Sequence, residues 1–378
     1  AGFTGYLENG EEVLTNMMNK IIHRGPDSAG QHIDGKAYMG FRRLSIIDLD
    51  NGSQPMYNED RKIVITFNGE IYNHQDLRKD LIEKGHTFAN NSDTEVLIHA
   101  YEEYGEDMLS KLRGMFAFVI WDSEKETIFA ARDFFGIKPF YYAVVDGNLV
   151  YASEIKSILE YPGYKKAVNE TALENYLTFQ YSVLEETFFK GIYKLMPSHC
   201  LTFHNKELNI KRYWEPEFDA DESKTLDDWI NEIDDAMHDS VEHHKISDVE
   251  VGSFLSSGVD SSYVACSADV DKTFTVGFDN GEKYNEIGYA KELSELIPVK
   301  NYSKTITPEE FWGNFGKIQY HMDEPLADPS AVALYFVCNT ASKYLKVVMS
   351  GEGADEIFGG YNIYKEPLAV PAYDKIPF

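Results

Sequence analysis

The sequence predicts an α/β protein in two parts, a strand-rich first part followed by one in which strands and helices alternate. Three observations carry this. Residues up to about 212 hold short alternating apolar runs broken by turn signals. The stretch Glu215-Pro216-Glu217-Phe218-Asp219-Ala220-Asp221-Glu222-Ser223 is polar, acidic and aperiodic, and marks a boundary. Beyond it the apolar spacing turns helical and then alternates with strands, the pattern of a parallel sheet with right-handed crossovers and helices on both faces. The expected division is 1–212, a linker at 213–225, and 226–378.

In Lys62–Phe67, Ile63, Ile65 and Phe67 share one face of a strand. Ser92-Asp93-Thr94-Glu95 reads as a capping box opening a helix, with Val96, Ala100, Tyr101 and Tyr104 along its inner face. Met115–Trp121 and Thr127–Ala131 flank the turn Asp122-Ser123-Glu124-Lys125. Phe140–Val145 and Asn148–Ala152 flank Asp146-Gly147, a hairpin signal, and Leu201–Phe203 with Leu208–Lys211 suggests another. Past the boundary, Leu226, Trp229, Ile230, Ile233, Met237 and Val241 recur at helical spacing. Strands near Val249–Leu255, Thr273–Phe278 and Lys346–Met349 alternate with helices near Asn285–Leu296 and Ser330–Tyr344.

A net charge of −28 disfavours nucleic acid and anionic membrane surfaces as partners, so an anionic ligand must be captured by local amides, a cation and a few basic residues. Cys200, Cys266 and Cys338 lie far apart and form no CxxC pair, which argues against zinc sites and a disulfide framework; each is expected as a small core residue. No apolar run reaches membrane-spanning length and no signal peptide opens the chain, so the expected location is the cytoplasm.

Two loops carry the chemistry of the second part. The apolar run Val251-Gly252-Ser253-Phe254-Leu255 opens into Ser256-Ser257-Gly258-Val259-Asp260-Ser261-Ser262, offering backbone N–H groups where a helix begins. That is an anion cradle, favoured by the helix dipole and by free amides. Asp260 within it tolerates phosphate only with Mg²⁺ between them. The second loop, Ser350-Gly351-Glu352-Gly353-Ala354-Asp355-Glu356, follows the strand Lys346–Met349. Loops of this kind at strand carboxyl ends are where open α/β sheets bind ligands. The first loop lacks the Gly-Lys-Ser/Thr of a Walker motif and resembles the pyrophosphate loop of ATP pyrophosphatases. Together the two loops resemble the synthetase domain of glutamine-dependent asparagine synthetases.

The resemblance extends over the whole chain. Gly2-Phe3-Thr4-Gly5, Arg24-Gly25-Pro26-Asp27, Arg43-Leu44-Ser45-Ile46-Ile47-Asp48, Asn68-Gly69-Glu70-Ile71-Tyr72-Asn73, Ser92-Asp93-Thr94-Glu95 and Gly114-Met115-Phe116-Ala117-Phe118 resemble, in order and spacing, the class II glutamine amidotransferase domain. Arg132-Asp133 with Gly136-Ile137-Lys138-Pro139 adds a further match. The resemblance implies an αββα four-layer sandwich of the N-terminal-nucleophile type. It is followed by a doubly wound parallel sheet like that of adenine-nucleotide α-hydrolases.

The resemblance also implies roles. The family's residue 1 is cysteine, whose thiol attacks the glutamine carboxamide with its own α-amine as base. Here Ala1 stands at that position, so glutamine hydrolysis is expected to be absent. The rest of the pocket is intact, which favours a deliberate Cys→Ala change over natural decay. Arg43 would pair with the glutamine α-carboxylate within the Arg43-Leu44-Ser45-Ile46-Ile47 segment, Asp93 would hold the α-ammonium, and Glu70 would help orient the ligand. Asn68 and the Gly69 N–H would form an oxyanion hole. Ser256, Ser257, Gly258, Ser261 and Ser262 would bind ATP phosphates, Asp260 and Asp355 would hold Mg²⁺, and adenine would lie near Phe254, Val276, Ser350 and Gly351. Glu352 would orient or deprotonate ammonia. His23 and His74 are expected to be structural.

The reaction implied amidates aspartate at the expense of ATP, using ammonia from glutamine; a homodimer is compatible with the resemblance. Two departures stand out. Ser257 replaces a second glycine found in many relatives, and would be strained if that position needs positive φ. The family also continues past the second loop with a mainly helical segment supplying a lysine, whereas this sequence stops at Phe378, so the second domain is expected to be incomplete. Rival readings are a relative without glutaminase activity that uses the adenylate otherwise, as β-lactam synthetases and peptide-cyclising homologues do, or a catalytically silent binder of glutamine or nucleotide.

Overall fold

The computed structural model describes residues 1–369 apart from 183, 220, 280 and 282–284. Ala220, in the expected linker, lies outside the described residues. The chain forms two compact units, Ala1–Lys224 with Gln319–Asp328, and Thr225–Ile318 with Pro329–Phe378.

The first unit contains β1 (Gly2–Thr4), α1 (Gly10–Asn19), β2 (Ser28–Ile33), β3 (Ala37–Arg43), β4 (Met56–Tyr57), β5 (Ile63–Ile71), α2 (His74–Glu83) and α3 (Asp93–Tyr104). These are followed by β6 (Gly114–Asp122), β7 (Thr127–Arg132), β8 (Tyr141–Val145), β9 (Asn148–Ala152), α4 (Ile155–Ile158), α5 (Glu170–Phe179), β10 (Tyr193–Lys194), β11 (His199–His204) and β12 (Glu207–Arg212). Two six-stranded sheets result, ordered β10-β8-β9-β1-β3-β2 and β12-β11-β7-β6-β5-β4.

Strand β6 shows why the sheets stack. Its side chains alternate between faces, and both faces are apolar. Phe116, Phe118 and Ile120 point to the helical side and pack with Leu81 of α2 and Val96 and Leu97 of α3. Ala117, Val119 and Trp121 point the other way and meet Met39, Leu149 and Tyr151 of the first sheet. On that sheet's far side, Phe3, Tyr38 and Val150 pack on Val13, Leu14 and Met17 of α1 and on Ile155 and Ile158 of α4. The layers are therefore helix, sheet, sheet, helix, as the resemblance implied.

The second unit contains α6 (Leu226–His244), β13 (Val251–Phe254), α7 (Val259–Ser267), β14 (Lys272–Phe278), α8 (Ile287–Leu296), β15 (Lys300–Ile306), α9 (Pro308–Met322), α10 (Ser330–Ala341), β16 (Val347–Met349) and α11 (Ala354–Phe358). The last residues of α9 fold with the first unit. The sheet is parallel, in the order β15-β14-β13-β16. One face carries α6 and α7 through Val241, Val264 and Ala268 packed with Val251 and Met349. The other carries α10 through Val337 and Ala341 packed with Phe274, Phe254 and Val348. Helices on both faces make the sheet doubly wound.

Two expectations are corrected. Ser92 Oγ accepts the Glu95 N–H at 3.3 Å, but Glu95 does not return to Ser92. Its carboxylate instead takes the N–H groups of Ala89 (2.7 Å) and Asn90 (2.9 Å), so the loop before the helix is held rather than the cap. Cys200 is buried as expected, whereas Cys266 and Cys338 are exposed, because α7 buries Val264 and Ala265 and α10 buries Phe336 and Val337 instead. The apolar stripe of α6 does form a helix, yet Leu226 and Ile230 remain 75% and 54% exposed. No helix among the described residues is long and apolar enough to cross a membrane.

Candidate active site

Ala1 heads β1, which is held between β3 and β9. Its α-amine donates to the Gly40 carbonyl at 2.9 Å, and its own carbonyl accepts the Gly40 N–H at 2.8 Å. Burial lowers this amine from 8.0 to about 5, so it is a free base at neutral pH. Three residues beyond Gly40, Arg43 ends β3 and is buried, not a surface ion-pair residue. It donates to the carbonyls of Leu49 (3.1 Å), Ile47 (3.2 Å) and Asp48 (2.6 Å), curling the Leu44-Ser45-Ile46-Ile47 segment around its guanidinium. Asp27 braces the same segment by accepting the Ser45 N–H at 2.9 Å.

A chain of hydrogen bonds then leads to Asp93. The Asp48 carboxylate accepts the Asn91 N–H at 3.0 Å, two residues before Asp93. Asp93, buried in the first turn of α3, accepts the N–H of Ile71 at 3.0 Å. Burial drives its carboxyl up to about 6 against the pull of that hydrogen bond. Ile71 closes β5, directly after Asn68-Gly69-Glu70. By strand alternation Asn68 and Glu70 face the first sheet, opposite to Ile65, Phe67 and Ile71, which pack under α2 and α3.

The Asn68 amide Nδ2 is buried and has no hydrogen-bond partner. An unsatisfied buried donor costs about 1–3 kcal/mol, so it is a signal for an acceptor that arrives with a ligand. Gly69 cannot be another residue, since an added Cβ would overlap the Met115 carbonyl of β6. The first unit thus gathers Arg43, Asn68, Gly69, Glu70 and Asp93 through shared strands and hydrogen bonds, with Ala1 on the strand adjoining Arg43's own.

Other motifs serve the scaffold. Asp133 is buried and accepts the N–H groups of Phe116, Phe135, Ile137 and Lys138. Arg132 donates to the carbonyls of Gly136, Lys138 and Leu195, each at 2.7 Å. His74 is buried with Nδ1 2.8 Å from the Ile71 carbonyl, a structural placement.

In the second unit, Ser256 and Ser261 join their hydroxyls at 2.7 Å, and Ser256 Oγ accepts the Gly258 N–H at 3.0 Å. Ser262 Oγ donates to the Gly258 carbonyl at 2.7 Å. These bonds pre-form the turn into α7. Ser257 does not adopt positive φ, so it replaces glycine without backbone strain. The two loops touch, since a Cβ on Gly351 would lie 2.8 Å from the Asp260 carbonyl carbon and the Ser261 nitrogen. Asp355 lies in the first turn of α11, and Glu352 is exposed just before it. Phe254 and Val276 are half-buried against the Phe274 core at the same strand ends. No ion pair reaches Asp260 or Asp355 among the described residues, leaving two carboxylates suited to a hard divalent cation.

Sequence reasoning missed one buried cluster in the first unit. Lys156 Nζ bridges Glu154 Oε2 (2.5 Å) and Asp323 Oδ1 (2.9 Å), and all three are nearly inaccessible. Glu154 Oε1 also meets His23 Nε2 at 2.8 Å and Arg24 at 3.2 Å, while Asp323 accepts the Ile155 N–H at 2.6 Å. Burial pushes Glu154 up, but Lys156, His23 and Arg24 outweigh it and hold the carboxyl low. For Asp323 burial wins and its carboxyl is raised.

Residues 1–214 match the glutamine amidotransferase domain family and residues 232–377 the asparagine synthase family. The fold and the two family matches thus define a two-domain amidotransferase-type protein. The chain belongs to the family of glutamine-hydrolysing asparagine synthetases. It is 44% identical to asparagine synthetase [glutamine-hydrolyzing] 1 of Bacillus subtilis over 97% of this chain and 58% of that protein. Asparagine synthetase [glutamine-hydrolyzing] 3 of the same organism is 34% identical over 95% of this chain and 63% of its own length. The protein named putative asparagine synthetase [glutamine-hydrolyzing] 2 of Methanocaldococcus jannaschii is 34% identical over 100% of this chain and 78% of its own length. The chain spans about three-fifths of the length of the two Bacillus relatives.

Proposed function

We propose that this chain is the glutamine-binding and nucleotide-binding part of an enzyme that amidates aspartate to asparagine with ammonia from glutamine. The observation that carries the glutamine half is the orphaned Asn68 amide on the strand whose last residue, Ile71, donates to the Asp93 carboxylate. Arg43 binds the ligand's carboxylate through donors beyond those spent on its loop, Asp93 binds the ammonium, and Glu70 orients the ligand. With cysteine at residue 1, its thiol loses a proton to the neutral α-amine and attacks the carboxamide carbon. The oxyanion is received by Asn68 Nδ2–H and Gly69 N–H, ammonia leaves, and water releases glutamate from the thioester. The methyl of Ala1 supplies no nucleophile, so in this chain the pocket binds glutamine and stops.

In the second unit, Ser256, Ser257, Gly258, Ser261 and Ser262 take the phosphates of ATP, with adenine against Phe254, Val276, Ser350 and Gly351. The β-carboxylate of aspartate displaces pyrophosphate from the α-phosphorus, giving β-aspartyl-AMP. Ammonia, oriented by Glu352, then attacks the acyl carbon and AMP leaves. Asp260 and Asp355 are the residues to hold Mg²⁺, which when bound offsets phosphate charge. The same reading has the protein act in the cytoplasm, with a linker at 213–225 between glutaminase and synthetase domains, and is compatible with a homodimer.

Calorimetry with L-glutamine tests the first half, and binding in the micromolar to millimolar range is the expected result. No heat at millimolar glutamine would sink the pocket assignment. Ala1→Cys, with the initiator Met removed, should then release glutamate.

A further inference from the structure

The loop between α2 and α3 folds back over α3 and brings two imidazoles to one carboxylate. His99, buried within α3, places Nδ1 2.8 Å from Glu102 Oε2. His86, on the loop, places Nδ1 3.6 Å from the same oxygen. The two rings lie 5.0 Å apart. One ligand atom from each of His86, His99 and Glu102 lies within 4.8 Å of the other two. Glu102 is aimed from behind, since Asn58 Nδ2 donates to its other oxygen at 2.8 Å.

The far side of each ring is organised as well. His99 Nε2 faces Glu59 and Glu95, both at 3.9 Å, and His86 Nε2 faces Glu103 Oε2 at 3.4 Å. Each imidazole therefore turns one nitrogen inward to a shared oxygen and the other outward to a carboxylate. For His86 the outer Glu103 is within hydrogen-bond reach, an arrangement that fixes the tautomer and raises the basicity of the inner nitrogen, while Glu59 and Glu95 at 3.9 Å supply only negative charge beside His99. The charge is also suitable. Glu59, Glu95, Glu102 and Glu103 surround the two rings against Lys84, whose ammonium lies 3.4 Å from Glu103.

We propose that His86, His99 and Glu102 form a divalent transition-metal site of the zinc class, separate from the glutamine pocket. Two imidazoles and one carboxylate suit zinc, with water as fourth ligand. Donor atoms of a tetrahedral zinc lie roughly 3.3 Å apart, a spacing between the two Nδ1–Oε2 distances seen here. The ion would pin the loop bearing His86 to the middle of α3, a structural role requiring no chemistry at the metal.

The test uses the whole chain, stripped with chelator and equilibrated with limiting Zn²⁺, with bound metal counted by plasma mass spectrometry. His86→Gln and Glu102→Gln are compared with the parent, since both positions are partly accessible and the buried His99 is left in place. The parent should hold one more zinc per chain than either variant. Co²⁺ should give visible d–d bands in the parent that weaken at least tenfold in both variants. Absence of stoichiometric zinc from the parent, or equal zinc in all three folded proteins, overturns the proposal. Equal zinc would assign the metal to cysteines or the acidic loops of the second unit.

Discussion

The Asp93 carboxylate accepts the backbone N–H of Ile71 at 3.0 Å, joining the first turn of α3 to the last residue of β5. A single buried carboxylate thus fixes where Asn68-Gly69-Glu70 ends relative to the helix. Its raised pKa reports how little water it sees.

That raised pKa gives glutamine affinity a pH dependence. The free Asp93 carboxyl is ionised above about 6 and protonated below it, while the ligand ammonium keeps its charge throughout. Affinity should be full near pH 7, where carboxylate and ammonium are both charged, and roughly tenfold weaker at pH 5. Asp93→Asn keeps an acceptor for Ile71 but removes the charge, and should flatten the profile at the weaker level. Calorimetry across pH 5 to 8 decides this; a flat profile in the parent rejects Asp93 as the ammonium partner.

Asn68 is predicted to act in the transition state alone. In an Ala1→Cys background, Asn68→Ala should lower kcat for glutamate release by roughly 10²–10³ with little change in KM, the scale for one oxyanion donor. An equal rise in KM would instead mean that Asn68 binds ground-state glutamine. Because the Nδ2 group is unsatisfied, the same change should not destabilise the unliganded fold.

The buried ion triad predicts a stability effect. Lys156→Met leaves the buried Asp323 carboxylate without its ammonium while Glu154 keeps His23 and Arg24, and breaking such a buried pair costs about 3–5 kcal/mol. Adding Asp323→Asn removes one stranded charge and should restore part of the loss. Urea midpoints for the two variants check both statements. If the single change costs under about 1 kcal/mol, the triad is hydrated and carries no such load.

The triad also shows where sequence reading runs out. Lys156 and Asp323 are 167 residues apart, and no local pattern pairs an ammonium with a carboxylate at that distance. The strands were legible where both faces are apolar, as in β6, or where a turn dipeptide separates them, as between β8 and β9. Strand β15 was missed because Lys-Asn-Tyr-Ser-Lys-Thr-Ile carries mostly polar side chains, which an edge strand tolerates. Ser92–Glu95 marked a helix start correctly, but which backbone N–H groups Glu95 would take depended on the loop's path. The candidate site was proposed from ordered motifs, whereas the vacant hydrogen-bond capacity of Asn68 needed packing to be seen.

Gly351 packs against the backbone of Asp260 and Ser261, so the two nucleotide loops form one surface at the strand ends. Asp260 would repel ATP phosphates unless a cation lies between them. ATP affinity should therefore rise with Mg²⁺ in the parent, and Asp260→Asn should remove most of that increment, roughly tenfold or more, the scale of one charged contact. The asparagine itself repels phosphate less, so metal-free ATP should bind the variant at least as well as the parent. Gly351→Ala should weaken binding with and without Mg²⁺ alike, because its methyl pushes the loops apart. Fluorescence titration with a labelled ATP analogue, with Mg²⁺ and with chelator, separates these outcomes. An undiminished Mg²⁺ increment in a folded Asp260→Asn protein would remove Asp260 from the metal's ligands.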